Sequence, residues 1–316
     1  MSVVAENPIL ARRTSTFGRL SDYFWLNPKL FLLMLLAPPL PWLGIIYLGS
    51  LFALLLQSFF SIDEFSGLIN YEFTLDTYRQ LLIPANFDII LRTVIMAALV
   101  TLASALIAFP IAYYAARYAR GKWKALFYLA VMLPLWSSYL VKVYAWKLIL
   151  AKEGILNWGF AKLHLTWLLD AWLALPVVGG NSLSISYTGT FIVFVYVWMP
   201  FMILPIQAAL ERVPVNLIEA SADLGGNPGQ TFRHVLFPLA LPGIIAGSIF
   251  TFSLTLGDYI IPQIIGSSRL FIGQAVYAQQ GTAGNIPLAA AFTVVPIVIM
   301  GFYLWMAKKR GAFDAL

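Results

Sequence analysis

The chain has 316 residues, 60% of them hydrophobic and 11% charged, with a mean hydropathy of +0.82 and a formal net charge of +6. A soluble domain could not hide that much apolar surface from water, so the composition is that of an integral membrane protein. Cysteine is absent, which excludes a disulfide framework, a thiolate metal site and a cysteine nucleophile; His164 and His234 lack neighbours at ligand spacing, so neither a metal nor another cofactor is expected.

A helix needs about 20 apolar residues to cross the hydrocarbon core. Stretches at approximately 31–58, 89–116, 125–149, 189–210, 239–262 and 288–307 reach that length, which predicts an all-α membrane protein with six transmembrane helices. The expected division is an N-terminal tail at 1–30, a membrane domain at 31–307 and a C-terminal tail at 308–316. The first span carries Pro38, Pro39 and Pro41, so a kink near its start is predicted, and it is too long for the apolar region of a cleaved signal peptide. Pro110, Pro134, Pro200 and Pro205 punctuate spans two, three and four, either as hinges or as ordinary packing positions.

Basic residues set the orientation. With the N-terminus inside, the cytoplasmic segments hold Arg12, Arg13, Arg19, Lys29, Arg117, Arg120, Lys122, Lys124, Arg212, Arg233, Lys308, Lys309 and Arg310, most of the 20 Lys and Arg. The opposite side holds Arg79, Arg92, Lys152, Lys162 and Arg269 among Asp63, Glu64, Glu72, Asp76, Asp88, Glu153 and Asp170. Both termini are therefore expected in the cytoplasm, and a lipid bilayer with an anionic inner leaflet accounts for the positive charge without any nucleic acid. Two outer loops, about 61–88 and 150–188, exceed what a connection needs; in the second, Trp158, Trp167 and Trp172 suggest a helix lying on the interface, as a partner surface or as a plain aromatic belt.

Between spans four and five lies "EASADLGGNPGQTFRHVLFPLALP", starting at Glu219. Pro214 suits the first turn of a helix that Gly225 and Gly226 stop; Asn227 can cap a second short helix opening at Pro228 and ending near Pro238. On the first helix Leu217, Ala220, Ser221 and Leu224 share a face, with small residues at its middle and Glu219 beside it. Glu219, Ala220, Gly225 and Pro238 stand at the spacing of the EAA loop of ABC-importer permeases, which this segment resembles; Ser221, Val235 and Phe237 replace the usual Ala, Ile and Leu. The resemblance covers about Asp88 to Trp305. It implies a type I ABC importer permease fold in which the loop at about 211–238 docks into a cleft on a cytoplasmic ATPase. No G-x-x-x-x-G-K-[ST] phosphate loop occurs in the chain, so ATP hydrolysis is expected in a separate polypeptide.

An ionisable residue inside a span asks for a reason. Asp258, in "SLTLGDYIIPQIIG", either lines the translocation path as a cation-attracting group or braces spans three and five by pairing with Lys142 or Lys147. Trp136, Tyr139, Tyr144, Trp198 and Tyr259 lie near the same depth and can present cation–π surfaces or simply pack. The stretches "GDYIIPQIIG" and "EGILNWGFAKL" resemble the spermidine/putrescine permease group. That resemblance implies a polyamine or related small cation, an extracytoplasmic binding protein, a second and non-identical permease chain, and two ATPase subunits; groups carrying iron, thiamine, phosphonate or sulfate share much of the pattern. An ion-coupled secondary transporter would show intramembrane acids or broken helices in two corresponding halves, whereas Asp258 is the one strong candidate and the sequence has no internal repeat. No H-E-x-x-H, paired-carboxylate or nucleophile–base constellation points to an enzyme.

Overall fold

The computed structural model describes residues 25–63, 65–176 and 180–309 and divides after Leu56 into two units. Most of the expected N-terminal tail, with Arg12, Arg13 and Arg19, and nearly all of the C-terminal tail, with Arg310, lie outside the described residues, as does Glu64.

In the first unit, α1 (Pro28–Leu36) ends at a turn and α2 (Pro39–Gln57) follows. The turn falls at Ala37–Pro38, where the prolines predict a kink. Immediately after Pro41 the chain adopts a π turn over Trp42–Leu48. Proline has no N–H to donate back along the helix, and a widened turn is one way to carry the backbone past it.

The second unit opens with a small antiparallel ladder, β1 (Ser61–Ile62) against β2 (Ile69–Asn70), the one element among the described residues that departs from the all-α expectation. Its turn is held by Asp63 Oδ1, which accepts N–H groups from Phe65 at 2.8 Å and Ser66 at 2.9 Å; these bonds keep the Asp63 carboxyl below the usual carboxylate range. The short α3 (Asp76–Leu81) leads into α4 (Pro84–Arg117), whose 34 residues span about 51 Å at 1.5 Å per residue, well beyond the hydrocarbon thickness.

Span three is not one helix. α5 (Lys122–Trp136) and α6 (Tyr139–Ile149) meet at 95° across Ser137 and Ser138. Apolarity runs on through both arms, so composition reads as one span, but Pro134 and two serines favour a break, and the freed Pro134 carbonyl finds donors in Ser137 Oγ at 2.9 Å and Lys142 Nζ at 2.6 Å. The outer loop expected to hold one helix holds two, α7 (Ile155–Lys162) and α8 (Thr166–Leu173), separated by His164 at φ 54°. Leu169 is buried in the core with Val143 and Leu150, and Trp172 Nε1 donates to Thr188 Oγ1 at 3.0 Å, while Trp158 and Trp167 stay exposed.

The central helix is α9 (Tyr187–Glu211), capped by Ser186 Oγ on the Gly189 N–H and continuous through Pro200 and Pro205. It packs against α4 on one side and, beyond the linking α10 (Val215–Asp223), against α11 (Pro228–Gly257) on another. Helices in lipid gain little from hydrophobic exclusion and depend on close van der Waals approach. Small residues supply it: Ala108, Ala112 and Ala115 are buried on α4, and Gly243 and Gly247 on α11 face Pro205, Ile206 and Met202 of α9. After α11 come α12 (Ile260–Ile264), α13 (Ile272–Gln280) and α14 (Ile286–Lys309), so the expected fifth span at 239–262 in fact begins earlier and stops at Gly257. Among the described residues, five helices and one bent pair are thus long and apolar enough to cross a membrane.

Candidate functional site

The segment at 211–238 forms a hairpin at one end of the bundle. Pro214 takes the cap position, with ψ 139°, rather than the first turn, and α10 follows. At its other end the Gly225 N–H reaches the Ala222 carbonyl at 2.9 Å and the Gly226 N–H reaches the Ser221 carbonyl at 2.9 Å. Gly225 sits at φ +80°, a conformation that favours glycine, and a Cβ on Gly226 would stand 2.6 Å from the Ser221 carbonyl oxygen. Asn227 and Gln230 then cap α11 reciprocally, both bonds at 2.9 Å.

The second helix of the hairpin does not end near Pro238. It continues as α11 for 30 residues, passing Pro238 by way of a π turn over Phe232–Leu236. Sequence reads Pro238 as a stop because proline breaks the regular ladder; the wider turn just before it removes the need for the missing N–H. The hairpin is therefore one rigid piece with span five. Ser221 Oγ and Thr231 Oγ1, 2.8 Å apart, tie its two arms together.

Leu217, Ala220, Ser221 and Leu224 do share a face. With Gly226, Gln230, His234 and Val235 they line an open cleft of about 370 Å³, and Leu224 is 89% exposed. Glu219 is exposed beside the cleft; Gly225 makes the turn, and Pro238 lies up the long helix, away from both.

At the far end of α11 the structure gathers three of the five other candidates. Asp258 stands where α11 stops, in extended backbone, and both oxygens of its carboxylate are engaged: Oδ1 accepts the N–H groups of Ile260 at 2.7 Å and Ile261 at 3.2 Å, opening α12, and Oδ2 accepts the Tyr139 hydroxyl from α6. The Tyr139 ring stacks on Trp198 of α9 with centroids 5.8 Å apart. The pairing with Lys142 or Lys147, one of the two alternatives for Asp258, does not form. Lys142 is spent on the Pro134 carbonyl, Lys147 is exposed, and among the described residues Asp258 has no ion pair. Spans three and five are joined here by a hydroxyl instead, because the break in span three puts Tyr139, not a lysine, at the start of α6.

Trp136 is 76% and Tyr144 54% exposed; Tyr259 stacks on Tyr277 of α13, centroids 5.2 Å apart and 9° between planes. Sequence reasoning passed over three residues that complete the arrangement. Gly273 lets α13 close on the break, since a Cβ there would lie 2.7 Å from the Asp258 carbonyl oxygen. Thr93 Oγ1 accepts the Ile272 N–H at 3.0 Å, and buried Gln274 donates to Gln263 at 3.3 Å. Gln274 also has a local role, accepting the Phe271 N–H at 3.0 Å, whereas nothing local marks Thr93, whose contact reaches 179 positions along the chain.

Residues 108–310 match the family described as binding-protein-dependent transport system inner membrane component. The chain is 57% identical over 313 residues to the inner membrane ABC transporter permease protein YdcU of Escherichia coli K12, covering 99% of this chain and 100% of that one. It is 30% identical over 258 residues to the spermidine/putrescine transport system permease protein PotB of the same organism, covering 80% and 88%. A chain in the crystal structure of a bacterial alginate ABC transporter, in complex with an alginate pentasaccharide-bound periplasmic protein, shares the fold with a TM-score of 0.65 at 15% identity, covering 92% of this chain and 98% of that one. The chain belongs to the binding-protein-dependent inner membrane components: it is a multi-pass permease subunit of an ABC importer, with the type I permease fold, and not an enzyme.

Proposed function

We propose that α10 is the contact through which a separate ATPase drives this permease, and that the importer carries a polyamine or related small organic cation. The observation that supports the first part is the geometry of the hairpin: an exposed cleft bearing Leu217, Ala220, Ser221 and Leu224, flanked by Glu219, on an element continuous with span five. A rigid lever of this kind converts closure of a partner into tilt of a packed bundle. On this reading the hairpin and both termini face the cytoplasm, in keeping with the basic residues on that side, and the complete machine contains two ATPase subunits, a second and non-identical permease chain and an extracytoplasmic binding protein. The alginate transporter that shares the fold was crystallised with such a periplasmic protein.

The substrate class is supported by the kinship to a spermidine/putrescine permease over 80% of the chain. On this reading Asp258, bonded to Tyr139 and to the start of α12, serves as a brace, and the stacked rings of Tyr259 and Tyr277 offer the π faces an amine would meet. Reconstituting the permease pair with its ATPase and binding protein, and following hydrolysis against spermidine, putrescine, ferric iron, thiamine, phosphonate and sulfate, tests the substrate class. Stimulation by the polyamines alone is expected, and stimulation by another ligand instead replaces it. Glu219→Lys is expected to break ATPase association or to uncouple hydrolysis from uptake. Unchanged transport in that variant would reject the docking role.

A further inference from the structure

Glu211 closes α9, and Arg212–Pro214 connect it to α10. Its Oε1 accepts from three side chains: Lys124 Nζ at 2.9 Å, the Tyr128 hydroxyl at 3.0 Å and Gln207 Nε2 at 3.2 Å. Lys124 and Tyr128 are one turn apart on α5, so a single carboxylate closes a link between the root of α10 and the first arm of the broken span. A second strap lies beside it, from Arg117 Nη2 at the end of α4 to the Val213 carbonyl at 2.9 Å.

From α5 the connection runs on. Across the 95° break, Lys142 Nζ of α6 holds the Pro134 carbonyl of α5, and the first residue of α6, Tyr139, bonds Asp258 where α11 stops. Helices move as rigid pieces, and a break whose carbonyl is held by a long flexible lysine can change angle without losing its hydrogen bond. The root of α10 is thus joined to Asp258 by two routes, one through α11 itself and one through α5 and α6.

We infer that Glu211 is a positioning residue that carries movement of α10 into the bent pair α5–α6, so that the outer end of span three shifts together with span five. This rests on the reading of α10 as the ATPase contact.

The chain contains no cysteine, and Leu129 on α5 and Val141 on α6 are exposed, so cysteines placed at those two positions take a clean pair of spin labels. In the reconstituted full importer, addition of ATP should change the distance between the labels. Glu211→Gln should shrink that change and lower uptake per ATP hydrolysed by about 5-fold, about 1 kcal/mol at 0.59 kcal/mol per natural-log unit. Reversing the pair, Glu211→Lys with Lys124→Glu, should restore most of both. An unaltered distance change and ratio in Glu211→Gln would overturn the inference, as would a loss that the reversed pair fails to recover. If Glu211→Gln does not assemble, Tyr128→Phe removes one donor alone: a smaller loss of the same ratio supports the link, and no loss rejects it. Glu219→Lys separates the two levels. Intact transport there sinks the ATPase-contact reading itself, whereas uncoupling there with a wild-type Glu211→Gln sinks only the strap.

Discussion

Adding one methyl group at Gly243 should drive α9 and α11 apart. A Cβ at that position would stand 2.5 Å from the Pro205 carbonyl oxygen, 2.6 Å from Ala209 Cβ and 3.1 Å from Ile206 Cα. Non-bonded carbons rest at about 3.5–4.0 Å, so the overlap approaches 1 Å, and two of the three atoms are backbone that no rotamer change can move. Overpacking of this kind costs about 1–3 kcal/mol, or roughly a 5- to 150-fold fall in the folded-to-unfolded ratio. Gly301 on α14 is the control, because no heavy atom lies within 4 Å of its would-be Cβ. There alanine relieves a helix penalty of about 1 kcal/mol, so one substitution has opposite signs at two glycines. Thermal unfolding of the purified complex, followed by tryptophan fluorescence, should show Gly243→Ala lowered by about 2–4 °C per kcal/mol and Gly301→Ala level or raised. Since α9 and α11 flank α10, Gly243→Ala should also reduce ATP-driven uptake. A Gly243→Ala protein as stable as the wild type would refute the close approach of these two helices.

Asp258→Ala strands the N–H groups of Ile260 and Ile261 and the Tyr139 hydroxyl, each worth about 1–3 kcal/mol when buried without a partner, so reduced assembly and thermal stability are expected, with Asp258→Asn milder because it keeps an acceptor. Normal stability with abolished uptake would instead place Asp258 in the translocation path. Gly225→Ala forces a side chain into a left-handed conformation at a cost of about 1–2 kcal/mol but meets no neighbouring atom, so its effect is confined to the hairpin turn. Weaker retention of the ATPase in co-purification, with bundle stability unchanged, is the expected result; full retention would show that the turn geometry is dispensable.

The sequence by itself determined the class of protein, the approximate positions of the spans and the outline of the hairpin, because these depend on local quantities: apolar length, the φ freedom of Gly225, and the capping reach of Asn227. Four small and apolar residues spaced along α10 fixed the cleft-lining face in the same way. Only the tertiary structure decided that span three breaks at Ser137 and Ser138, that α11 runs through Pro238, and that Asp258 bonds Tyr139 rather than a lysine. Apolarity does not distinguish a straight helix from a bent one, and a proline reads as a stop unless a π turn before it absorbs the missing donor. The long-range partners, Tyr139 for Asp258 and Lys124 with Tyr128 for Glu211, are set by which helices meet at which depth, information spread over residues far apart in the chain and therefore absent from any single stretch of it.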